Sequence, residues 1–130
     1  MHKTTTNKAF TLKARLKSFK FAFQGIREVV ATQHNIWIHL LLAILAISLG
    51  FVFSIKAFEW IAIVISIGIV FAAEIFNSAL EYMVDMISPE HNEKAGKVKD
   101  MAAAAVFITA LSAAIIGFII FLPRILENLK

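Results

Sequence analysis

Residues 57–85 read "AFEWIAIVISIGIVFAA" and then "EIFNSALEYMVD", so a long apolar run leads directly into a group of carboxylates. No proline or turn dipeptide separates the two halves, and the pattern therefore predicts one continuous helix. Residues 57–83 exceed the roughly 20 residues that a helix needs to cross the hydrocarbon core of a bilayer. We expect a membrane-spanning helix whose last turns are polar.

Composition makes a bilayer the expected solvent for the whole chain. Of its 130 residues 59% are hydrophobic, and the mean hydropathy of +0.77 is too apolar for a soluble domain of this length. Two further apolar segments, 36–55 and 101–122, are long enough to span, and we expect the second to end at Pro123. The predicted fold is a single all-α membrane domain, 1–130. Cysteine is absent, which excludes disulfides and thiolate metal sites.

Residues 10–31 predict a different kind of helix. Apolar side chains recur at alternating steps of four and three residues, and basic side chains follow the same rhythm on the adjoining face. The apolar row is Leu12, Leu16, Phe19, Phe23, Ile26 and Val30, and the polar row is Lys13, Lys17, Lys20, Gln24 and Arg27. This amphipathic helix is expected in the headgroup plane with its lysines on lipid phosphates; the alternative is a helix packed along the bundle. Nucleic acid is not expected as a partner, because stacking aromatics interleaved with bases on a soluble face are missing.

The distribution of lysine and arginine predicts the orientation. Seven basic residues precede the first span, three lie in the 86–100 segment, and only Lys56 lies between the first two spans. The excess of positive charge on cytoplasmic segments then places the N-terminus and the 86–100 loop in the cytoplasm. Arg124 and Lys130, after the third span, count against this orientation. Within the loop, Asp100 stands where an N-cap of the third span would be.

The carboxylates at the end of the second span share one face. At about 100° per residue, Glu81 and Asp85 fall within about 20° of Glu74, and Asn77 and Ser78 flank the line. Glu74 lies about 25 Å along the span, near the cytoplasmic edge of a ~30 Å core. This polar stripe suits chemistry between a lipid hydroxyl and a water-soluble molecule. The alternative is a neutral, protonated Glu74 bonded to another span, followed by ordinary solvated residues.

Lysines at the start of the third span suggest phosphate binding. Lys97 and Lys99 approach that start together with Asp100, although the same lysines would serve orientation alone in an inert protein. Neither G-x-x-x-x-G-K-[ST] nor G-x-G-x-x-G occurs, so nucleotide chemistry here would not use a standard glycine-rich loop. His91 beside two glutamates is interpreted as a solvated loop histidine and not as a metal ligand.

The segment "EIFNSALEYMVD", followed thirteen residues after Asp85 by "VKDMAAAAV", resembles the signature of the small prokaryotic integral-membrane lipid kinases, the diacylglycerol kinase and undecaprenol kinase family. The similarity runs from "FQGIR" through the third span. It implies a homotrimer in the cytoplasmic membrane, each chain having three spans and an N-terminal surface helix. It also implies that ATP and Mg²⁺ are used to phosphorylate a lipid hydroxyl. The implied roles are general base for Glu74, positioning for Asn77, a magnesium ligand for Glu81, phosphate binding for Lys99 and completion of the nucleotide end for Asp100.

One position departs from the family pattern. The family usually has a metal-binding glutamate where Gln33 stands, and an amide oxygen can still bind Mg²⁺ but with less Coulomb attraction. Glu28 lies about 140° away around a helix, which makes it a poor substitute. The lipid stays open between diacylglycerol and undecaprenol: Asn35, His39 and "GFIIFLP" look like the undecaprenol branch, whereas "EIFNSALE" looks like the diacylglycerol branch.

Two other classes of function fit an intramembrane glutamate. A small ion- or proton-coupled transporter would also carry one, but its site is expected near the bilayer midplane, whereas Glu74 is expected near one edge. The other class is an inactive structural membrane subunit.

Overall fold

The computed structural model describes residues 11–90 and 92–129, and all regular secondary structure in those ranges is helical. The four helices are α1 (Leu12–Thr32), α2 (His34–Val52), α3 (Ala57–Ile87) and α4 (Glu93–Asn128). The last three are long and apolar enough to cross a membrane, which confirms the predicted all-α fold with three such helices. The expectations for Lys3, Lys8, His91 and Lys130 lie outside the described residues.

The connection between α3 and α4 is shorter than the predicted 86–100 loop. It occupies 88–92, because α3 continues through Ile87 and α4 begins at Glu93. Asn92 caps α4: its side-chain oxygen accepts hydrogen bonds from the backbone N–H groups of Lys94 (2.9 Å) and Ala95 (3.4 Å). The expectation that Asp100 is the N-cap is therefore wrong, since the cap lies eight residues earlier and satisfies two otherwise free donors.

The other end of α4 also differs from the expectation. The helix passes through Pro123 and ends at Asn128, whereas a proline inside a helix normally removes one backbone hydrogen bond and ends or kinks the helix. Arg124 follows the proline, and its guanidinium donates to the carbonyl of Ile120 (2.5 Å) and to both carboxylate oxygens of Glu59 (2.9 and 3.0 Å). This ion pair ties the end of α4 to the first turn of α3.

The bundle is held chiefly by α3 and α4, with α2 against α3. At the end that contains the α2–α3 turn, Ile55, Ile63, Ile120 and Phe121 form a buried cluster. Elsewhere the helices turn large apolar side chains outward; Phe107, for example, is 66% exposed. A soluble protein would bury such side chains, so this surface fits helices whose surroundings are lipid.

Helix α1 joins the bundle only near its C-terminal end. Trp37 Nε1 donates a hydrogen bond to the carbonyl of Val30 (3.1 Å), and Tyr82 Oη donates to Glu28 Oε1 (3.3 Å). The predicted apolar row from Leu12 to Ile26 remains exposed. This exposure favours the surface-helix interpretation over a helix packed along the bundle.

Candidate active site

The polar stripe predicted for α3 passes from the buried interior to the exposed end of the helix. Glu74 is 1% exposed, Ser78 is fully buried and Asn77 is 8% exposed, whereas Glu81 is half-buried and Asp85 is exposed. Ionisable and amide side chains are seldom fully buried unless they serve a purpose, because each loses its hydration. The buried end of the stripe is thus the first place to look for function.

Three residues of the stripe line a cavity of about 360 Å³ between three helices. Helix α2 contributes Asn35 and His39, and α3 contributes Glu74, Asn77 and Glu81. The wall from α4 is apolar; its residues are Ala103, Val106, Phe107 and Ala110. The cavity therefore has polar groups on two sides and an apolar third wall.

Hydrogen bonding inside the cavity is incomplete. Asn77 Nδ2 donates to Glu81 Oε1 (3.0 Å), and the hydroxyl of Ser78 donates to the carbonyl of Glu74 (2.9 Å). Glu74 Oε1 and Asn77 Oδ1 are buried without a hydrogen-bond donor among the described residues. Buried acceptors are rarely left unpaired in proteins, so each of these two atoms is expected to gain a donor in the functional state, from a ligand or from a neighbouring side chain.

His39 brings an imidazole from α2 to the buried carboxylate. Its Nε2 lies 3.0 Å from Glu74 Oε1, which is an ion-pair distance, but the ring N–H is not aligned for a hydrogen bond. In the sequence, His39 was interpreted only as an indication of which lipid is the substrate. A usable signal was present, because Asn35 and His39 are four residues apart and therefore share one face of α2.

The predicted phosphate-binding residues lie just beyond this cavity and do not line it. Lys99, in the second turn of α4, forms an ion pair with Asp85 at the exposed end of the stripe. Lys97 pairs with Glu93 one turn earlier on the same helix (2.6 Å), and Asp100 is exposed. The start of α4 thus lies beside the end of α3, and Lys99 is joined to the stripe through Asp85.

Gln33, the predicted second metal ligand, also does not line the cavity. It occupies the single non-helical position between α1 and α2, and its side chain makes no capping hydrogen bond. Glu28 was expected to be a poor substitute for Gln33 because of its position around the helix. It nevertheless contacts α3 by accepting a hydrogen bond from Tyr82, the neighbour of Glu81. Glu28 is also the only carboxylate in the sequence of α1.

The carboxylate and amide oxygens of the cavity suit a magnesium ion that takes only some of its ligands from the protein. No group of three or more His, Cys, Asp or Glu side chains converges within 11–90 and 92–129. Mg²⁺ is commonly bound through one or two carboxylates together with phosphate oxygens and water, rather than in an all-protein cage. Glu81 and the unpaired Asn77 Oδ1 offer hard oxygen ligands of this kind.

An apolar cavity of about 380 Å³ adjoins the polar one. It is bounded by α2, α3 and α4, and its walls are apolar apart from His39 and Ser66. His39 and Ala110 line both cavities. A lipid could therefore place its polar end beside Glu74 and its hydrocarbon along the bundle.

Comparison with known proteins identifies the family. The family model for prokaryotic diacylglycerol kinase matches residues 20–121. The chain belongs to the prokaryotic diacylglycerol kinase family. It is 36% identical to the undecaprenol kinase of Bacillus subtilis over 124 residues, which are 95% of this chain and 96% of that one. It is 33% identical to the diacylglycerol kinase of Haemophilus influenzae, covering 93% of this chain and 99% of that one. It is 32% identical to the diacylglycerol kinase of Synechocystis, covering 86% of this chain and 65% of that one.

Membership in the prokaryotic diacylglycerol kinase family makes the chain a membrane lipid kinase, a phosphotransferase that uses a nucleotide phosphate donor. The predicted family resemblance and enzyme class are confirmed. The comparisons give no support to a transporter or to an inactive structural subunit.

Proposed function

We propose that the chain transfers the γ-phosphoryl group of ATP to the hydroxyl of a membrane lipid in a Mg²⁺-dependent reaction. The observation that carries the proposal is the buried carboxylate of Glu74, which lines a cavity shared by three helices and whose Oε1 accepts no hydrogen bond from the described residues. Phosphoryl transfer needs mainly positioning and neutralisation of charge, together with a base for the attacking hydroxyl.

Glu74 is the proposed general base. When the lipid hydroxyl attacks, its O–H bond breaks, its proton passes to the Glu74 carboxylate, and its oxygen forms the new bond to the γ-phosphorus while the nucleoside diphosphate leaves. Asn77 is the proposed positioning group, since it lines the cavity together with the base and its amide donates to Glu81. A largely dehydrated carboxylate at this place avoids competition from water for the phosphoryl group.

Glu81 is the proposed ligand for Mg²⁺, with Gln33 as the second ligand that the family resemblance implies. Bound Mg²⁺ would neutralise charge on the phosphate oxygens. For Glu81 the support is its place beside the unpaired Asn77 Oδ1. For Gln33 the support is only the family pattern.

The nucleotide is proposed to bind at the start of α4. Lys99 would take a phosphate, with Lys97 and Asp100 at the nucleotide end, and Lys99 would then exchange its present partner Asp85 for the phosphate. A lysine acts as a strong point-charge partner for phosphate, and here it extends from a helix that begins beside the cavity.

Undecaprenol is the first candidate for the lipid, with diacylglycerol as the second. Undecaprenol is favoured by the 36% identity to a relative named undecaprenol kinase over nearly the full length of both chains. Diacylglycerol is favoured by the names of the other relatives, at 33% and 32% identity.

We further propose that the N-terminus and the 88–92 connection face the cytoplasm, where ATP is found, and that three chains assemble. The orientation is supported by the excess of lysine and arginine before α2 and by Lys94, Lys97 and Lys99 in the first two turns of α4, directly after the connection. The trimer rests on the family resemblance.

The direct test is phosphate transfer by the purified chain. The chain in mixed micelles receives ATP labelled at the γ-phosphate, Mg²⁺ and either undecaprenol or diacylglycerol, and the lipid phase is assayed for label. Label in undecaprenol at a higher kcat/KM than in diacylglycerol supports the proposal. Label in neither lipid would overturn it, and the opposite preference would reverse the order of the two lipids.

A further inference from the structure

His39 occupies a position that the proposed reaction does not yet use. It lies on α2, and its Nε2 approaches Glu74 Oε1 to 3.0 Å. Both side chains are shielded, with 16% of His39 and 2% of Glu74 exposed. Glu74 is thus buried beside a single imidazole that comes from another helix.

The other walls of the cavity offer no second cation to this carboxylate. From α3 the cavity receives Asn77 and Glu81, and from α4 it receives only apolar side chains. The adjoining apolar cavity adds Ser66, whose hydroxyl donates to the carbonyl of Ala62 (2.7 Å) and is therefore already used. Among the described residues that line the two cavities, His39 is the one side chain able to carry a positive charge.

An ionised carboxylate in such surroundings needs a donor. Burial removes the water that would stabilise the charge, and a charge-assisted hydrogen bond restores part of that loss. The 3.0 Å separation is already that of a hydrogen bond, so a change in ring orientation without movement of the helices would align Nε2–H with Oε1. In many active sites the attacking group is paired with a base, and a third group orients that base.

The geometry points to His39 as a positioning residue for Glu74. In this arrangement His39 Nε2–H donates to Oε1, which fixes the carboxylate and leaves Oε2 free to accept the proton of the lipid hydroxyl. The inference rests on the proposed role of Glu74 as general base. His39 also lines both cavities, so it stands where the hydroxyl of a lipid would meet the hydrocarbon chain.

A purely structural role predicts a different result. If His39 only ties α2 to α3, an apolar side chain of similar size can replace it without changing turnover in the folded protein. If His39 holds the base, the loss falls on kcat, because the lipid and ATP still bind while the carboxylate is no longer held for proton transfer.

The experiment compares His39→Leu and His39→Gln in the full-length chain, each alone and combined with Glu74→Gln. The matched control is His34→Leu, since His34 is an exposed histidine at the start of the same helix and does not line either cavity. We expect His39→Leu to lower kcat at least about tenfold, while the KM for the lipid and the KM for ATP stay within about twofold. This loss is a part of the 10²–10⁴-fold rate enhancement that general-base catalysis supplies. His39→Gln should recover part of this loss, because its amide N–H can donate to Oε1. In the Glu74→Gln background His39→Leu should cause no further loss, as expected for residues that act as a unit.

Several outcomes would overturn the inference. The first is a kcat for His39→Leu within twofold of that of the unaltered chain. The second is an equal loss of kcat in His39→Leu and His39→Gln when both keep the circular dichroism spectrum and ATP binding of the unaltered chain. The third is an additive loss of kcat when His39→Leu is combined with Glu74→Gln. If His39→Leu does not fold, the comparison of His39→Gln in the two Glu74 backgrounds decides by the same criterion of additivity. If the unaltered chain labels neither lipid, the proposed function fails. If it labels a lipid and Glu74→Gln does not, while His39→Leu turns over normally, only the role of His39 fails.

Discussion

At the scale of single residues, the cavity holds two buried acceptors, one of which belongs to an acid. Glu74 Oε1 and Asn77 Oδ1 accept no hydrogen bond from the described residues, although each is enclosed by the bundle. Removing a polar atom from water without a partner costs about 1–3 kcal/mol by mutational measurements. A protein that needed only stability would place apolar side chains there, and the family chemistry supplies the reason that this one does not.

The role of Lys99 is tested by removing its charge. We predict that Lys99→Met weakens ATP binding roughly 10- to 150-fold, because a hydrogen bond to a charged group contributes about 1.5–3 kcal/mol. Equilibrium binding of a non-hydrolysable ATP analogue measures the effect. Lys94→Met is the control, since Lys94 is an exposed lysine of the same helix whose side chain forms no hydrogen bond or ion pair with the described residues. Equal weakening in both variants would show that general positive charge, and not Lys99, attracts the nucleotide.

The departure at position 33 gives a prediction of its own. Gln33→Glu would add a second carboxylate to a Mg²⁺ site that the family pattern places between positions 33 and 81. Because the charge of oxygen ligands tunes the affinity for divalent cations, the variant should need less free Mg²⁺ for half-maximal activity. Activity titrated against free Mg²⁺ in both proteins is the measurement. An unchanged titration, with Glu81→Gln inactive, would place Gln33 outside the metal shell and make Glu28→Gln the next variant to measure.

At the scale of elements, the turn between α2 and α3 depends on a missing side chain. A Cβ added at Gly50 would lie 2.6 Å from Cη2 and 2.8 Å from Cζ2 of Trp60, which are closer than packed atoms allow. The absence of a side chain lets Trp60 lie against α2, where its ring centroid is 4.9 Å from that of Phe51. The cluster at this end of the bundle follows from that approach.

We therefore predict that Gly50→Ala lowers the free energy of unfolding by about 1–3 kcal/mol, the usual cost of overpacking. Gly68→Ala is the matched control, because a Cβ at Gly68 meets nothing within 4 Å. Alanine favours a helix over glycine by up to about 1 kcal/mol, so the control should be unchanged or more stable. Unfolding in detergent micelles, followed by circular dichroism, measures both. A loss in the control as large as in Gly50→Ala would contradict the role assigned to Trp60.

The helix ends show what local sequence could and could not predict. The helices and the polar stripe were predictable, because hydrophobic length and 3.6-residue periodicity are properties of neighbouring residues. The start of α4 was not, because Asn92 and Asp100 are both acceptable caps and the sequence between them lacks a deciding pattern. The continuation of α4 through Pro123 was not predicted either, and the ion pair at this end joins Arg124 to Glu59, 65 residues earlier. The approach of His39 to Glu74 likewise depends on how α2 packs against α3.

At the scale of the whole molecule, the orientation proposed for the chain has a simple test. Because the sequence has no cysteine, single cysteines can be introduced at Ser54, in the exposed α2–α3 turn, and at Glu90, in the exposed α3–α4 connection. In oriented membranes a membrane-impermeant thiol reagent should label Ser54→Cys from outside and Glu90→Cys only from the cytoplasmic side. The lysines near the start of α4 and the basic face of α1 set this expectation. Labelling of both cysteines from the same side would contradict the three-span topology.

The proposed chemistry lies where the polar stripe of α3 meets the start of α4, with a buried acid in the cavity and lysines beyond the cavity. This arrangement separates binding from reaction. The nucleotide is assigned to α4 and the end of the stripe, whereas the proton is assigned to Glu74 inside the cavity. Loss of the base should consequently impair the transition state and leave the bound nucleotide almost unaffected.

The separation of proton transfer from nucleotide binding is tested most directly by the turnover and ATP affinity of Glu74→Gln. Glu90→Gln is the control for loss of an exposed carboxylate at the same end of the bundle. We expect Glu74→Gln to lower kcat for lipid phosphorylation by a factor of roughly 10²–10⁴, while the Kd for an ATP analogue changes less than about twofold. Glu90→Gln should have the kcat and the Kd of the unaltered chain. Turnover of Glu74→Gln close to that of the unaltered chain, or a Kd for the ATP analogue that rises in proportion to the loss of kcat, would contradict this expectation.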